Sequence, residues 1–166
     1  MLGMTHAAAG VLAAGCLAAQ ATPSPVQTGL VTFGVVLGSL FPDIDSKHSI
    51  ISQVARPVGT VVRMISGHRA LMHDPVFYAL ILLGLKLFFP SVFPWFLPMA
   101  VGVATHLLLD SLNPMGIPIC YYSGKGKHRI HLAKIKTGSF LDNMIRRILC
   151  ILSVLAWALA LIRIII

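Results

Sequence analysis

The chain has 166 residues, of which 57% are hydrophobic and only 11% charged, a balance that excludes an ordinary soluble domain and marks a membrane protein. Thirteen Lys and Arg against five acidic residues give a formal net charge of +8. In so apolar a chain that excess reads as positive loops facing an anionic leaflet, with no nucleic acid expected as a partner.

Five apolar stretches follow one another. The first, Met4–Ala19, has Thr5 as its expected N-cap. It is short and alanine-rich like a secretory signal. It lacks a basic leader and contains His6, so it reads as a retained helix. "QATPSPVQT" breaks the pattern, and the second stretch, Gly29–Phe41, is short for a full span. "IISQVARPVGTVVRMIS" is amphipathic. Ile50, Val54, Val58, Val61 and Ile65 share one side, while Ser52, Arg56 and Arg63 share the other. That suits a helix lying in the membrane surface and bent at Pro57.

The third stretch is Pro75–Phe89, with Asp74 as an N-cap and Pro75 at the first helical position. "PSVFPWFLP" reads as a turn with interfacial aromatics, and the fourth stretch runs over Leu97–Leu112. "SGKG", flanked by short β-prone runs, predicts a small cytoplasmic hairpin. The fifth stretch is Ile148–Ile166, its helix starting near Ser139, where "SFLD" resembles a capping box with Asp142 in place of Glu. Cys16, Cys120 and Cys150 show neither CxxC spacing nor a disulfide framework and read as apolar filler. The expected fold is an all-α integral membrane protein. Residues 1–166 would form one domain, a bundle of about five transmembrane helices with an interfacial amphipathic helix.

Lys47, Arg56, Arg63 and Arg69 lie in one loop, and Lys125, Lys127, Arg129, Lys134, Lys136, Arg146 and Arg147 in another. The third and fourth stretches form a hairpin, so both loops share one side. The positive-inside rule makes that side cytoplasmic. The N-terminus is then inside and the C-terminus outside.

Polar residues sharpen this topology. His6 opens the first stretch, Asp43 and Asp45 close the second, His68 and His73 precede the third, and His106 and Asp110 close the fourth. All fall on the inner side. His106 and Asp110 are four residues apart and share a helix face. Ionisable groups at membrane depth are functional by default. Three carboxylates at helix C-termini need a positive partner, and neutral imidazoles beside them are good metal ligands. A mixed His/Asp set suits Zn²⁺ first, then Mn²⁺ or Fe²⁺, and seven ligands suit two ions better than one. Each residue has a plainer role open to it. Asp45 with Ser46 fits a turn, Asp142 a cap, His48 a solvated loop, and His128 and His131 a basic run facing headgroups.

"MTHAAAG", "GSLFPDIDS", "GHRALMH", "HLLLDSLNPMG" and "TGSFLD" occur in the order seen in the YdjM-like family, which the chain resembles over nearly its whole length. That family comprises bacterial inner-membrane proteins described as metal-dependent hydrolases, some under LexA control. Its pattern near His68 usually reads HRGxTHS. Here Ala70, Met72 and Asp74 replace the Gly, Thr and Ser, and Asp142 replaces the usual late Glu. These departures leave the ligands in place. The HxxxD element is also similar, more distantly, to one in zinc phospholipases C and P1-type nucleases, which implies phosphoester chemistry.

The resulting expectation is a metal-dependent hydrolase of a phosphoester or lipid-linked phosphate. Its metals would be held by His6, Asp43, Asp45, His68, His73, His106 and Asp110. Asp43 or Asp110 would bridge or orient the ions, and Arg69 would hold phosphoryl oxygens unless it serves only as a positive-inside anchor. Membrane lipids are the expected partners. The competing readings are a metal or proton transporter and a non-catalytic scaffold with a structural metal. Reporter fusions at residues 46–73 and 113–146 should signal from the cytoplasm and a fusion near Pro94 from outside; a cytoplasmic signal from Pro94 would refute this topology.

Overall fold

The computed structural model describes residues 1–20, 24–46, 49–54, 56–66, 71–120 and 128–165. The chain folds as α1 (Gly3–Gln20), α2 (Pro25–Leu40), a 3₁₀ turn (Phe41–Asp45), α3 (Ile50–Val54), α4 (Arg56–Ser66), a second 3₁₀ turn (Leu71–His73), α5 (Pro75–Phe88) and α6 (Phe93–Ser111). The strand pair β1 (Ile117–Pro118) and β2 (Arg129–Ile130) follows, then α7 (Phe140–Ile165). All five apolar stretches are helical. Among the described residues three segments are long and apolar enough to cross a membrane: Pro25–Asp45, Phe93–Ser111 and Phe140–Arg163. The shorter α5 is apolar as well. Large side chains on these helices, among them Leu83, Leu87, Trp95, Leu108, Ile151 and Val154, point outward, as a lipid-facing surface requires.

Several boundaries differ from the sequence expectation. α2 begins at Pro25, not Gly29, because Ser24 and Gln27 close a capping box: the Ser24 hydroxyl accepts from the Gln27 amide at 3.3 Å, and the Ser24 amide donates to Gln27 Oε1 at 3.1 Å. The extra turn makes the second stretch long enough to span. α6 begins at Phe93 and not at Leu97, with Pro94 tolerated in its first turn. Thr5 does not cap α1. It lies inside the helix, and its hydroxyl donates to Asp142 Oδ1 at 2.8 Å. The amphipathic segment forms the two helices α3 and α4, with Pro57 in the first turn of α4. Val58 and Val61 are exposed together, as the surface-helix reading expects, whereas Ser52 is buried near Gly59, which abuts the Ile44 carbonyl. An outward apolar stripe suits a helix lying on a bilayer surface. Asp74 caps α5 by accepting from the Val76 amide at 2.9 Å, as expected.

Packing follows the small residues. A Cβ on Gly38 would lie 2.1 Å from the Met99 carbonyl oxygen, and one on Gly102 would lie 2.0 Å from that of Val35. Only glycine permits this approach, so α2 and α6 touch backbone to backbone, with Gly34 against Pro98 one turn away. α1 fits between α2 and α7, with Gly10 against Ser39 and Gly15 against Trp157. The Trp157 indole donates to the Val11 carbonyl at 3.2 Å.

The strands pair antiparallel, Ile117 opposite Ile130 and Pro118 opposite Arg129, where the sequence predicts a hairpin. The Leu132 amide donates to the Ser111 carbonyl at 2.8 Å, and the Ile135 amide to the Leu112 carbonyl at 2.9 Å. These bonds satisfy carbonyls that the end of α6 leaves open. Gly38→Val should force α2 off α6 and destabilise the protein by about 1–3 kcal/mol, visible as a lower unfolding temperature in detergent. An unchanged unfolding temperature would show that the close approach is not maintained.

Candidate metal centre

One end of the bundle collects the start of α1, the 3₁₀ turn after α2, the turn before α5 and the end of α6. Each delivers one or two polar side chains. His6, Asp43, His73, His106 and Asp110 are all buried there. Two groups of three lie within 4.8 Å of one another by their ligand atoms: His6, His106 and Asp110, and Asp43, His73 and His106.

Asp110 is the hub. Its Oδ1 lies 3.2 Å from His6 Nε2, and its Oδ2 lies 3.3 Å from His73 Nε2 and 3.7 Å from His106 Nε2. Asp43 Oδ1 stands 3.7 Å from His73 Nε2 and 3.9 Å from His106 Nε2. Ligand atoms around a tetrahedral ion with bonds of 2.0–2.2 Å are separated by roughly 3.3–3.6 Å, so this spacing fits a shared ion. The His6 and His106 rings stack with centroids 3.8 Å apart, and His73 meets His106 edge-on at 5.3 Å.

Hydrogen bonding fixes which nitrogen is offered. His106 Nδ1 lies 2.7 Å from the Ser39 carbonyl oxygen, which can only accept, so Nδ1 carries the proton and Nε2 keeps its lone pair for the cluster. The Asn113 amide donates to Asp110 Oδ1 at 2.7 Å, and the Met1 amino nitrogen lies 2.8 Å from the same oxygen. Both ring nitrogens of His6 and His73, and Nε2 of His106, are buried without a hydrogen-bond partner. Leaving such atoms unsatisfied costs about 1–3 kcal/mol each, and a divalent cation would remove that cost for the Nε2 atoms that face the carboxylates. The donor set therefore fits a metal ion.

Of the other residues expected here, Asp45 is fully buried on the same turn as Asp43 but belongs to neither group. Its direct neighbour in the turn, Ile44, points instead into an apolar cluster with Leu71 and Met72. His68, Arg69 and His48 lie outside the described residues. Asp142 serves as an anchor: its carboxylate accepts from the amides of Gly138 at 2.8 Å and Leu2 at 3.2 Å besides Thr5. It thereby ties the start of α7 to the segment carrying His6. The capping box around it is half formed, because the Ser139 hydroxyl accepts from the Asp142 amide at 3.4 Å while the Asp142 side chain turns elsewhere. Asn113 and the Ser39 carbonyl were not foreseen from the sequence. Asn113 could have been found, since it follows Asp110 by three residues at the helix end; a backbone carbonyl has no sequence signature.

A membrane-embedded helical bundle with a buried His/Asp cluster at one end is the class that fold and site define. Within it, the family described as "YdjM inner membrane protein" matches residues 1–166, and the chain belongs to that family. It is 29% identical over 92 residues to "Inner membrane protein YdjM" of Escherichia coli strain K12, a match covering 52% of this chain and 46% of that relative. The chain thus spans less than half of that relative's length in the match. It is 27% identical over 146 residues to "Uncharacterized protein YvsG" of Bacillus subtilis strain 168, covering 87% of each chain. No solved structure matches the chain.

Outside the membrane spans, His73 is the group whose charge responds most to the cluster. Burial disfavours its cation, but the carboxylates of Asp110 and Asp43 outweigh that and hold its pKa up at about 9, above the ordinary 6.5. Because the folded value is the higher one, this pairing stabilises the metal-free protein fully below pH 6.5 and is lost as pH rises through about 9. A metal ion must displace the His73 proton. Its affinity should therefore weaken about tenfold per pH unit below pH 9, as titration calorimetry with Zn²⁺ would record. His106→Ala should sharply lower metal content while the helices still insert; unchanged stoichiometry would make the cluster a structural polar network.

Proposed function

We propose that the protein is a membrane-bound, metal-dependent hydrolase that cleaves a phosphoester, with a lipid-linked phosphate as substrate. The observation that carries this reading is the set of buried imidazole nitrogens converging on the Asp110 carboxylate. A structural site would be closed by its ligands. Here the two Asp110 oxygens face different histidines, an arrangement suited to a carboxylate shared by two ions. Divalent ions held there, Zn²⁺ foremost, would lower the pKa of water toward neutrality and polarise a phosphoryl oxygen. His6, His73, His106, Asp43 and Asp110 would hold the ions. The Ser39 carbonyl would orient His106, and Asn113 would fix the Asp110 carboxylate.

A lipid substrate is supported by an apolar cavity of about 430 Å³ between α5 and α6. Its lining includes Tyr78, Leu82, Met99 and Leu107, and also Phe41 and Pro75, each two residues from a ligand of the cluster. A hydrocarbon tail could lie there while the phosphate approaches Asp43 and His73. By the positive-inside rule, the basic loops would put this chemistry at the inner leaflet. Transport would call for a second polar layer across the membrane. All five carboxylates instead belong to the cluster end, either in the cluster itself or, as with Asp45, Asp74 and Asp142, on the turns and caps beside it.

Purified protein loaded with Zn²⁺ should hydrolyse a phospholipid or lipid-linked phosphate in mixed micelles, and chelation should stop it. Asp43→Asn should lower turnover by about 100-fold or more, because it removes a charged ligand. Full metal occupancy without turnover on a broad panel of such phosphates would favour the scaffold.

A further inference from the structure

The geometry points to Arg129 as the residue that holds the substrate's phosphoryl oxygens at the mouth of the cluster. This inference rests on the phosphoester reading and adds to it a binding residue and the charge its substrate must carry. A small polar cavity of about 10 Å³, room for roughly one water molecule, is lined by His73, Asp110, Asn113, Met115, Gly116 and Arg129. Two of these belong to the cluster, and Asn113 holds Asp110. The cavity therefore opens from the ligands toward β2, and Arg129 stands at its exposed edge.

Arg129 is held in place. Gly116 takes a φ of +60°, and a Cβ on it would lie 2.4 Å from the Ile130 carbonyl oxygen, so β2 packs against backbone that only glycine can provide. Arg129 pairs with Pro118 across the ladder, and the chain just beyond it is bonded to the Ser111 and Leu112 carbonyls. The same helix end carries His106 and Asp110. The hairpin and the ligands thus share one support, which fixes the Arg129 backbone relative to the cluster.

Charge completes the argument. The Asp43 and Asp110 carboxylates would repel an anionic substrate from the bare cluster, and two divalent ions would reverse that sign. Arg129 has no carboxylate partner among the described residues, so its fork is available to an oxyanion. Guanidinium can hold two phosphoryl oxygens at once, which an ammonium cannot.

The test uses full-length protein loaded with Zn²⁺ in detergent, with inorganic phosphate as the probe and acetate as the comparison anion. Wild type should bind phosphate more tightly than acetate. Arg129→Ala should weaken phosphate binding by about tenfold to a hundredfold, Arg129→Lys by less, and both should keep full metal stoichiometry. On a cleaved substrate, Arg129→Ala should raise KM. Phosphate affinity unchanged in Arg129→Ala at full metal content would overturn the role of Arg129 and leave the phosphoester reading intact. Loss of metal in Arg129→Ala would overturn it too, by making the residue structural. Metal-loaded wild type that binds no phosphate and cleaves no phosphoester would sink both.

Discussion

The site depends on one backbone contact: α2 and α6 approach so closely that the Ser39 carbonyl reaches His106 Nδ1 at 2.7 Å. Gly38 and Gly102 make the approach possible, because any Cβ there would strike a carbonyl of the facing helix. In a membrane this packing cannot draw on the hydrophobic effect between helices, so close contact and interhelical hydrogen bonding must do the work. The bond selects the tautomer that leaves Nε2 unprotonated, and it aims that nitrogen at Asp110 and Asp43. A chain of causes thus runs from two glycines through helix separation to the chemistry available at the end of the bundle.

The second constraint is polar. A bilayer tolerates ionisable groups where protein encloses them and they answer one another. Here α1, α2, α6 and the turn before α5 each contribute to one cluster, and Asp142 ties the first and last helices beside it through Thr5 and Leu2. Without a cation the imidazoles still leave nitrogens unsatisfied, so ion binding and local stability are linked. The same linkage makes metal affinity depend on pH through His73.

Much of this was legible in the sequence, for physical reasons that can be named. His106 and Asp110 share a helix face at any packing, because four residues make about one turn. Asp74 before Pro75 could hardly be other than an N-cap, and SGKG between β-prone runs signalled the hairpin. The start of α2 is hidden in the apolar pattern, which begins at Gly29, and is set by the Ser24–Gln27 capping box. Asp43 and Asp45 both close the second stretch on one side of the membrane, but in a 3₁₀ turn residues two apart point different ways. The partnership of Arg129 with the cluster depends on how the hairpin folds back over α6, which no local pattern encodes.

X-ray absorption at the metal edge of the purified, Zn²⁺-loaded protein tests the central claim most directly. The account predicts imidazole nitrogen and carboxylate oxygen at about 2.0–2.2 Å and no sulfur, since the cysteines lie outside the cluster. A sulfur-dominated coordination sphere, or protein that retains no metal at all, would contradict it.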